Sequence, residues 1–417
     1  MKVRTITLGI HLDTQSALSG SDGGSIPILR YLIEKLTLAK KQVTLLKAKL
    51  TSVGYDVQTL RLSCNSFEEW MIPALSYMPL NVLIGEIDSL LQNLEIDFFS
   101  IGPACSESAI KLLPDILCTS TRISASCLIS VPGTTDTFTV PQWDTCRLAA
   151  ETCLTIYRRL GDLANFRYCA SFHCGPGIPF FPASYHDSDN RQSTASVGFE
   201  NGDLLFLAFF SSADLEQAHT QLIEVLGQAY KPIQVLLESA CEELGIHYGG
   251  IDASMNPGLL IQDSVGAGIE LLLKKHLSGN AFGQSGTLAA VATITTALKA
   301  LEVAKGIKLV GYSGLMLPVM EDIILSERAA NESGSRYTAR DLLLFSSVCG
   351  VGLDTLPIPG DTSVDAIASM YTDVGAMAHR LRKPLSCRLL PMNGKQAGDI
   401  TEVQSPYLCN TTVFQLS

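Results

Sequence analysis

The chain has 417 residues, and 30 Lys and Arg against 41 Asp and Glu give a formal charge of −11, which excludes a generic basic nucleic-acid binder. Hydrophobic residues make up 47% and charged residues 17%, so the chain can bury a large core, is not disordered, and has apolar surface to hide by self-association.

In chain order, residues 3–10 read as a first strand, and a Ser- and Gly-rich loop follows over 16–25. Residues 26–53 have helical period: Leu32, Leu36, Ala39, Val43, Leu46 and Leu50 fall at three- and four-residue steps, and Gly54 stops the helix. Residues 55–62 alternate like a strand, which completes a βαβ-like unit. The same grammar predicts helices over 80–94, 106–118 and 143–163, and strands over 96–101, 123–131 and 168–172. Residues 204–209 read as the most apolar strand, and 215–244 as a helix broken or kinked at Pro232. Residues 248–253 read as a strand carrying Asp252, and 287–303 as a buried helix. Residues 175–182 and 356–361 read as structured loops, with Asp361 or Thr362 capping the helix after the second. Alternating strands and helices predict an α/β fold with a largely parallel sheet or barrel covered by helices. No low-complexity linker interrupts residues 1–417, which read as one domain.

The 12 cysteines are scattered and show no C-x-x-C spacing, which reads as reduced thiols in a cytoplasmic protein. The N-terminal apolar run is too short and too polar for a signal peptide. No stretch reaches the ~18 uninterrupted apolar residues of a membrane helix, so neither membrane nor nucleic acid is expected as a partner.

Several residues could carry chemistry. Asp252-Ala253-Ser254-Met255-Asn256 leaves the C-terminal end of a strand, where α/β folds bind ligands; alternatively Asp252 caps its own backbone in a turn. Asp263 either caps the following helix or contacts the ligand. Gly286 and Thr287 precede an apolar helix and can present N–H groups to an anion. The adjacent Glu321 and Asp322 can hold a divalent cation or divide acid and base roles, or else begin a solvated helix. Cys349, in Cys349-Gly350-Val351-Gly352-Leu353-Asp354, is a nucleophile or a small thiol where two backbones meet. His186, at the end of Phe180-Phe181-Pro182-Ala183-Ser184-Tyr185-His186, is a base, a ligand or a hydrogen-bonded loop histidine.

Taken in order, these motifs resemble the family called domain of unknown function 711, also known as uncharacterised protein family 0210. The resemblance is clearest over 252–400 and adds Arg4-Thr5-Ile6-Thr7-Leu8-Gly9-Ile10, Ile358-Pro359-Gly360-Asp361-Thr362 and Arg388-Leu389-Leu390-Pro391. It implies a pyruvate formate-lyase-like barrel of about ten strands around a central loop, surrounded by helices, and a homodimer. The glycyl-radical signature of that superfamily, Arg-Val-x-Gly and an aromatic residue, is absent from this C-terminal region, so no glycyl radical site is expected.

The resulting expectation is a small-molecule enzyme doing hydrolase, lyase or isomerase chemistry in a barrel pocket. Its catalytic residues are Cys349, Glu321, Asp252 and His186. Its ligand-binding residues are Gly286, Thr287, Ser254, Asn256 and Asp263. Asp252, Glu321, Asp322 and Asp354 hold a divalent Ca or Mg ion. The alternative is a non-catalytic regulatory dimer that binds a metabolite or a cation.

Overall fold

The structure is a computed structural model that describes residues 1–18, 24–130, 141–330 and 337–416. Part of the expected 16–25 loop and Val131 lie outside them.

Strand β1 (Lys2–Ile10) sets the plan, because successive side chains of a strand point to opposite faces. Ile6, Leu8 and Ile10 join the main core with Leu32, Leu36 and Val43 of the helix Ser25–Ser52. Thr7 and Gly9 face the other way, into an interior space. The pattern recurs in β2 (Val57–Cys64), β3 (Phe99–Ala104) and β4 (Ile123–Ser130). There Leu62, Phe99, Ile101, Ile123 and Ala125 face the helices. Ser63, Ser100 and Ser124 face inward.

These strands and β5 (Tyr168–Phe172) pair in parallel, in chain order. Two pairs flank them in the opposite sense. β6 (Thr194–Glu200) runs antiparallel to β1 with β7 (His247–Asp252) parallel beyond it. β9 (Leu385–Met392) runs antiparallel to β5 with β8 (Gly352–Pro359) parallel beyond it. The result is a nine-stranded sheet in the order β7-β6-β1-β2-β3-β4-β5-β9-β8, with helices packed on its outer face. The segment 308–319 touches both end strands. The Val310 N–H donates to the Ile251 carbonyl of β7 (3.0 Å), and the Val319 N–H donates to the Asp354 carbonyl of β8 (3.3 Å).

The inner face holds chain rather than helices. Segment 173–187 crosses it, and its buried backbone groups need partners. The inward hydroxyls supply them: Thr7 Oγ1 donates to the Pro179 carbonyl (2.7 Å) and Ser100 Oγ to the Ser184 carbonyl (2.6 Å). Phe180 fits only because Gly198 has no side chain; a Cβ there would fall 2.1 Å from the ring. The segment builds a second core, with Ile178 and Phe180 packed on Leu128, Cys169, Tyr312 and Met316.

The structure corrects several expectations. Residues 204–209 belong to a helix, Asp203–Phe209, not a strand. Leu204, Leu205, Ala208 and Phe209 are buried while Leu207 is 66% exposed, a helical period that an all-apolar run conceals. The helix Leu215–Leu244 is not broken at Pro232 but continues through it. The cap expected of Asp263 is provided by Ser264, and the cap expected of Asp361 or Thr362 by Ser363. Residues 356–359, expected in a loop, belong to β8. The helix Thr287–Lys305 is long and apolar enough to cross a membrane, but Ala290, Val291, Ile294, Leu298 and Leu301 pack it into the main core.

Candidate functional site

A cavity of about 290 Å³ lies between the inner face and segment 173–187. It shares Arg4, Arg61, Phe98, Phe166, Glu321 and Tyr407 with an adjoining vestibule of about 420 Å³. Three arginines reach its wall from strands: Arg4 from β1, Arg61 from β2 and Arg388 from β9.

Two of the three have carboxylate partners. Arg388 donates from Nε to Asp354 Oδ1 (2.5 Å) and from Nη2 to Glu321 Oε1 (2.8 Å), and lies 4.6 Å over the Phe166 ring. Arg4 Nη2 donates to the other Glu321 oxygen, Oε2 (2.7 Å). Asp354 sits at an irregularity of β8, where Thr355 takes a φ of 42° that β-branched residues rarely adopt. Burial pushes the Asp354 carboxyl upward, against the pull of Arg388. Its Oδ1 also accepts the Thr355 N–H (3.0 Å), whereas Oδ2 receives no hydrogen bond among the described residues.

Arg61 has no carboxylate partner among the described residues. Its Nε donates to Thr59 Oγ1 (3.2 Å), and its guanidinium lies 5.1 Å from the Phe98 ring centre and 5.4 Å from that of Phe181. Burial first, and then Arg4, push it down to about 9, so it remains a cation at neutral pH. The remaining cavity arginines are satisfied: Arg122 pairs with Asp88 (3.2 Å), and Arg167 donates to the carbonyls of Leu117, Ser120 and Ile123. The wall therefore presents one half-buried guanidinium that makes no ion pair among the described residues and is open to an anion.

The family model described as Uncharacterised ACR (DUF711) matches residues 1–404. The chain belongs to the DUF711 family. A UPF0210 protein of Pyrobaculum islandicum is 24% identical over 417 residues, covering 98% of this chain and 88% of that relative. A UPF0210 protein of Bifidobacterium longum is 26% identical over 433 residues, covering 96% and 87%. A third, of Agathobacter rectalis, is 30% identical over 233 residues, covering 54% and 48%.

In this DUF711 chain the residues singled out from sequence are dispersed. Glu321, Asp354 and Asn256 line the arginine cavity, and Asp263 lines its vestibule. His186 lines a different cavity, of about 210 Å³, next to other residues of segment 173–187. Asp252 is fully buried and serves as a clasp. It accepts the N–H groups of Tyr312 and Ser313 (2.9 Å each) and of Ser254 (3.0 Å), and the Ser254 hydroxyl (2.6 Å). Asp322 accepts the N–H groups of Ile324 and Leu325 (3.1 Å each) and Val265 (2.8 Å), and so ties two helix starts together. Burial raises both carboxyls. Glu321 sits in a turn, its N–H donating to the Pro318 carbonyl (3.2 Å), and lines the cavity, whereas the next residue, Asp322, caps the following helix.

The expected cation site is thus not assembled. Among the described residues no three His, Cys, Asp or Glu side chains are grouped to hold a metal ion. Cys349 is 1% exposed in the main core, beside the close approach of Gly350 to Gly314. Gly286 lies against Leu273 and Leu277, and Thr287 Oγ1 accepts the Gly283 N–H (3.1 Å), so neither lines a cavity described above. Sequence reasoning missed the three arginines as site residues. Their signal was there: each stands in a strand of apolar and hydroxyl residues, where a charge needs a purpose.

Proposed function

We propose that this protein is an enzyme that binds a small organic anion in the arginine cavity and transfers a proton to or from it. The observation that carries the reading is Arg61, a half-buried cation with aromatic faces around it and no carboxylate partner among the described residues. The anion would rest on Arg61, with its body against Phe98, Phe166, Phe181 and Met316. Asp354 supplies the proton-transfer group. Its Oδ2 is free on the same wall, and Arg388 orients the carboxylate through Oδ1. Glu321 holds Arg4 and Arg388 in place and keeps the wall from carrying three unbalanced cations.

We also infer that the sheet closes into a barrel of the pyruvate formate-lyase-like kind around segment 173–187. The hydrogen bonds of segment 308–319 to both β7 and β8 support this. The functional reading is tested by ligand-observed NMR and thermal shift with a panel of carboxylates, phosphates and their neutral amide or alcohol analogues. Anions are expected to bind and stabilise the protein, their neutral analogues not, and Arg61→Met is expected to abolish the difference. Equal behaviour of the wild type and Arg61→Met would overturn it.

A further inference from the structure

The cavity that contains His186 is absorbed by none of this. It is lined by Thr7, Gly9, Ser63, Tyr185, Ser196 and Lys308, among others. Segment 173–187 contributes to both cavities: residues 180–183 to the arginine cavity, and residues 176–178 and 185–187 to this one, which opens to the surface beside Asp187, His247 and Lys308.

Three observations mark it as a built site. Ser196 is 2% exposed, and its Oγ has no hydrogen-bond partner among the described residues, an unmet demand in the wall. His186 is 3% exposed, and its Nε2 lies 2.8 Å from the Asn190 carbonyl, which can only accept. That nitrogen therefore carries the proton, and Nδ1 is left with a lone pair that accepts. The imidazole can occupy this position only because residue 9 is glycine; a Cβ there would lie 2.7 Å from Nδ1. The volume, about 210 Å³, also exceeds that of one or two structural waters at about 30 Å³ each.

The charges on the wall decide what kind of molecule fits. One cation, Lys308, and one carboxylate, Asp187, line the cavity. Lys308 already donates to the Tyr248 carbonyl (2.6 Å). Burial lowers the pKa of His186, which keeps the ring neutral near pH 7. Hydroxyls of Thr7, Ser63, Thr194 and Ser196 supply most of the remaining polarity. A group that both donates and accepts, repeated around a small body, matches this lining.

We propose that the His186 cavity is a second binding site, for a small neutral polyhydroxylated molecule such as a polyol or monosaccharide. His186 Nδ1 accepts one ligand hydroxyl and Ser196 Oγ pairs with another. The proposal does not depend on the anion reading of the first cavity, since no residue lines both.

The test is saturation-transfer NMR and isothermal titration with glycerol, myo-inositol, ribose and glucose, with acetate and inorganic phosphate as charged controls. At least one polyol or sugar is expected to bind the wild type at millimolar concentration or tighter. Ser196→Val, which fills the space and removes the hydroxyl, is expected to weaken it at least tenfold. His186→Phe, which keeps a ring but removes the acceptor, should do the same. Both variants are checked for unchanged circular dichroism, and Ser63→Ala provides a milder third variant in case one fails to fold. No binding by any of the four compounds overturns the proposal. So does binding that survives both substitutions, binding of the charged controls in their place, or a crystal soak that shows water alone in the cavity.

Discussion

Arg4 and Glu321 are separated by 317 positions in the chain, and their side chains meet at 2.7 Å. The same carboxylate accepts from Arg388, so one glutamate ties the first strand to the last. Glu321→Gln would leave two guanidiniums without their shared counter-ion. Arg388 and Glu321 are each only 7% exposed, so solvent would do little to screen the loss. The expected cost is about 3–5 kcal/mol in urea unfolding. A loss below about 1 kcal/mol would contradict this account of the wall.

Arg61 should behave in the opposite way. It makes no ion pair among the described residues, so Arg61→Met removes one hydrogen bond and two ring contacts but no charge pair from the unliganded protein. Stability is expected to change by less than about 1 kcal/mol, while affinity for cavity anions falls at least tenfold, a split typical of a residue held for binding. Denaturation curves and anion titrations on the same preparation check both halves.

Asp252→Ala should release segment 308–319 from β7. The substitution leaves the N–H groups of Tyr312, Ser313 and Ser254 without their buried acceptor. A loss of about 2–4 kcal/mol is expected. Hydrogen exchange should quicken at residues 312 and 313 before it does in β1, and uniform quickening would show that the clasp is not local.

The pH dependence has a worked sign. Burial lowers the His186 pKa below its ordinary 6.5, so the unfolded chain takes up this proton first as pH falls. The histidine's contribution is full above about pH 6.5 and is lost on acidification through the folded-state pKa. His11 and His173 are shifted the same way by burial and share the slope. His186→Gln should therefore flatten part of the stability loss between pH 7 and 5, measured by urea midpoints. An unchanged slope would show that His186 is not buried as described.

Chelation should leave stability unaltered. The oxygens of Asp252 and Asp322 already accept backbone and hydroxyl donors, and Glu321 and Asp354 face arginine. Thermal melts with and without EDTA are expected to superimpose, and a drop of several degrees would mean that a cation reaches these carboxylates.

Much of the α/β plan was legible along the chain. The stripe from Leu32 to Leu50 placed the first long helix, and the alternation of β1 placed the first strand. Where a segment is apolar on every side the signal fails, as in Asp203–Phe209. The site was legible only in pieces. Glu321 and Asp354 line one cavity, but pairing Glu321 with Asp322 misled, because a turn carries Glu321 to the cavity while Asp322 caps the next helix. The family likeness extends beyond the motifs clearest over 252–400, since the family model matches residues 1–404.

The sequence by itself determined the alternation of strands and helices, the capacity for a large core and the membership of the family. These are local or additive properties, written in periodicity, composition and motif order. The tertiary structure alone decided which charges are paired. Arg61 stands without an acid because β2 places it between two rings, and Arg388 is balanced because β9 runs beside Asp354 and Glu321. Ion pairing depends on distances of a few ångströms between residues hundreds of positions apart, and linear spacing carries no record of them.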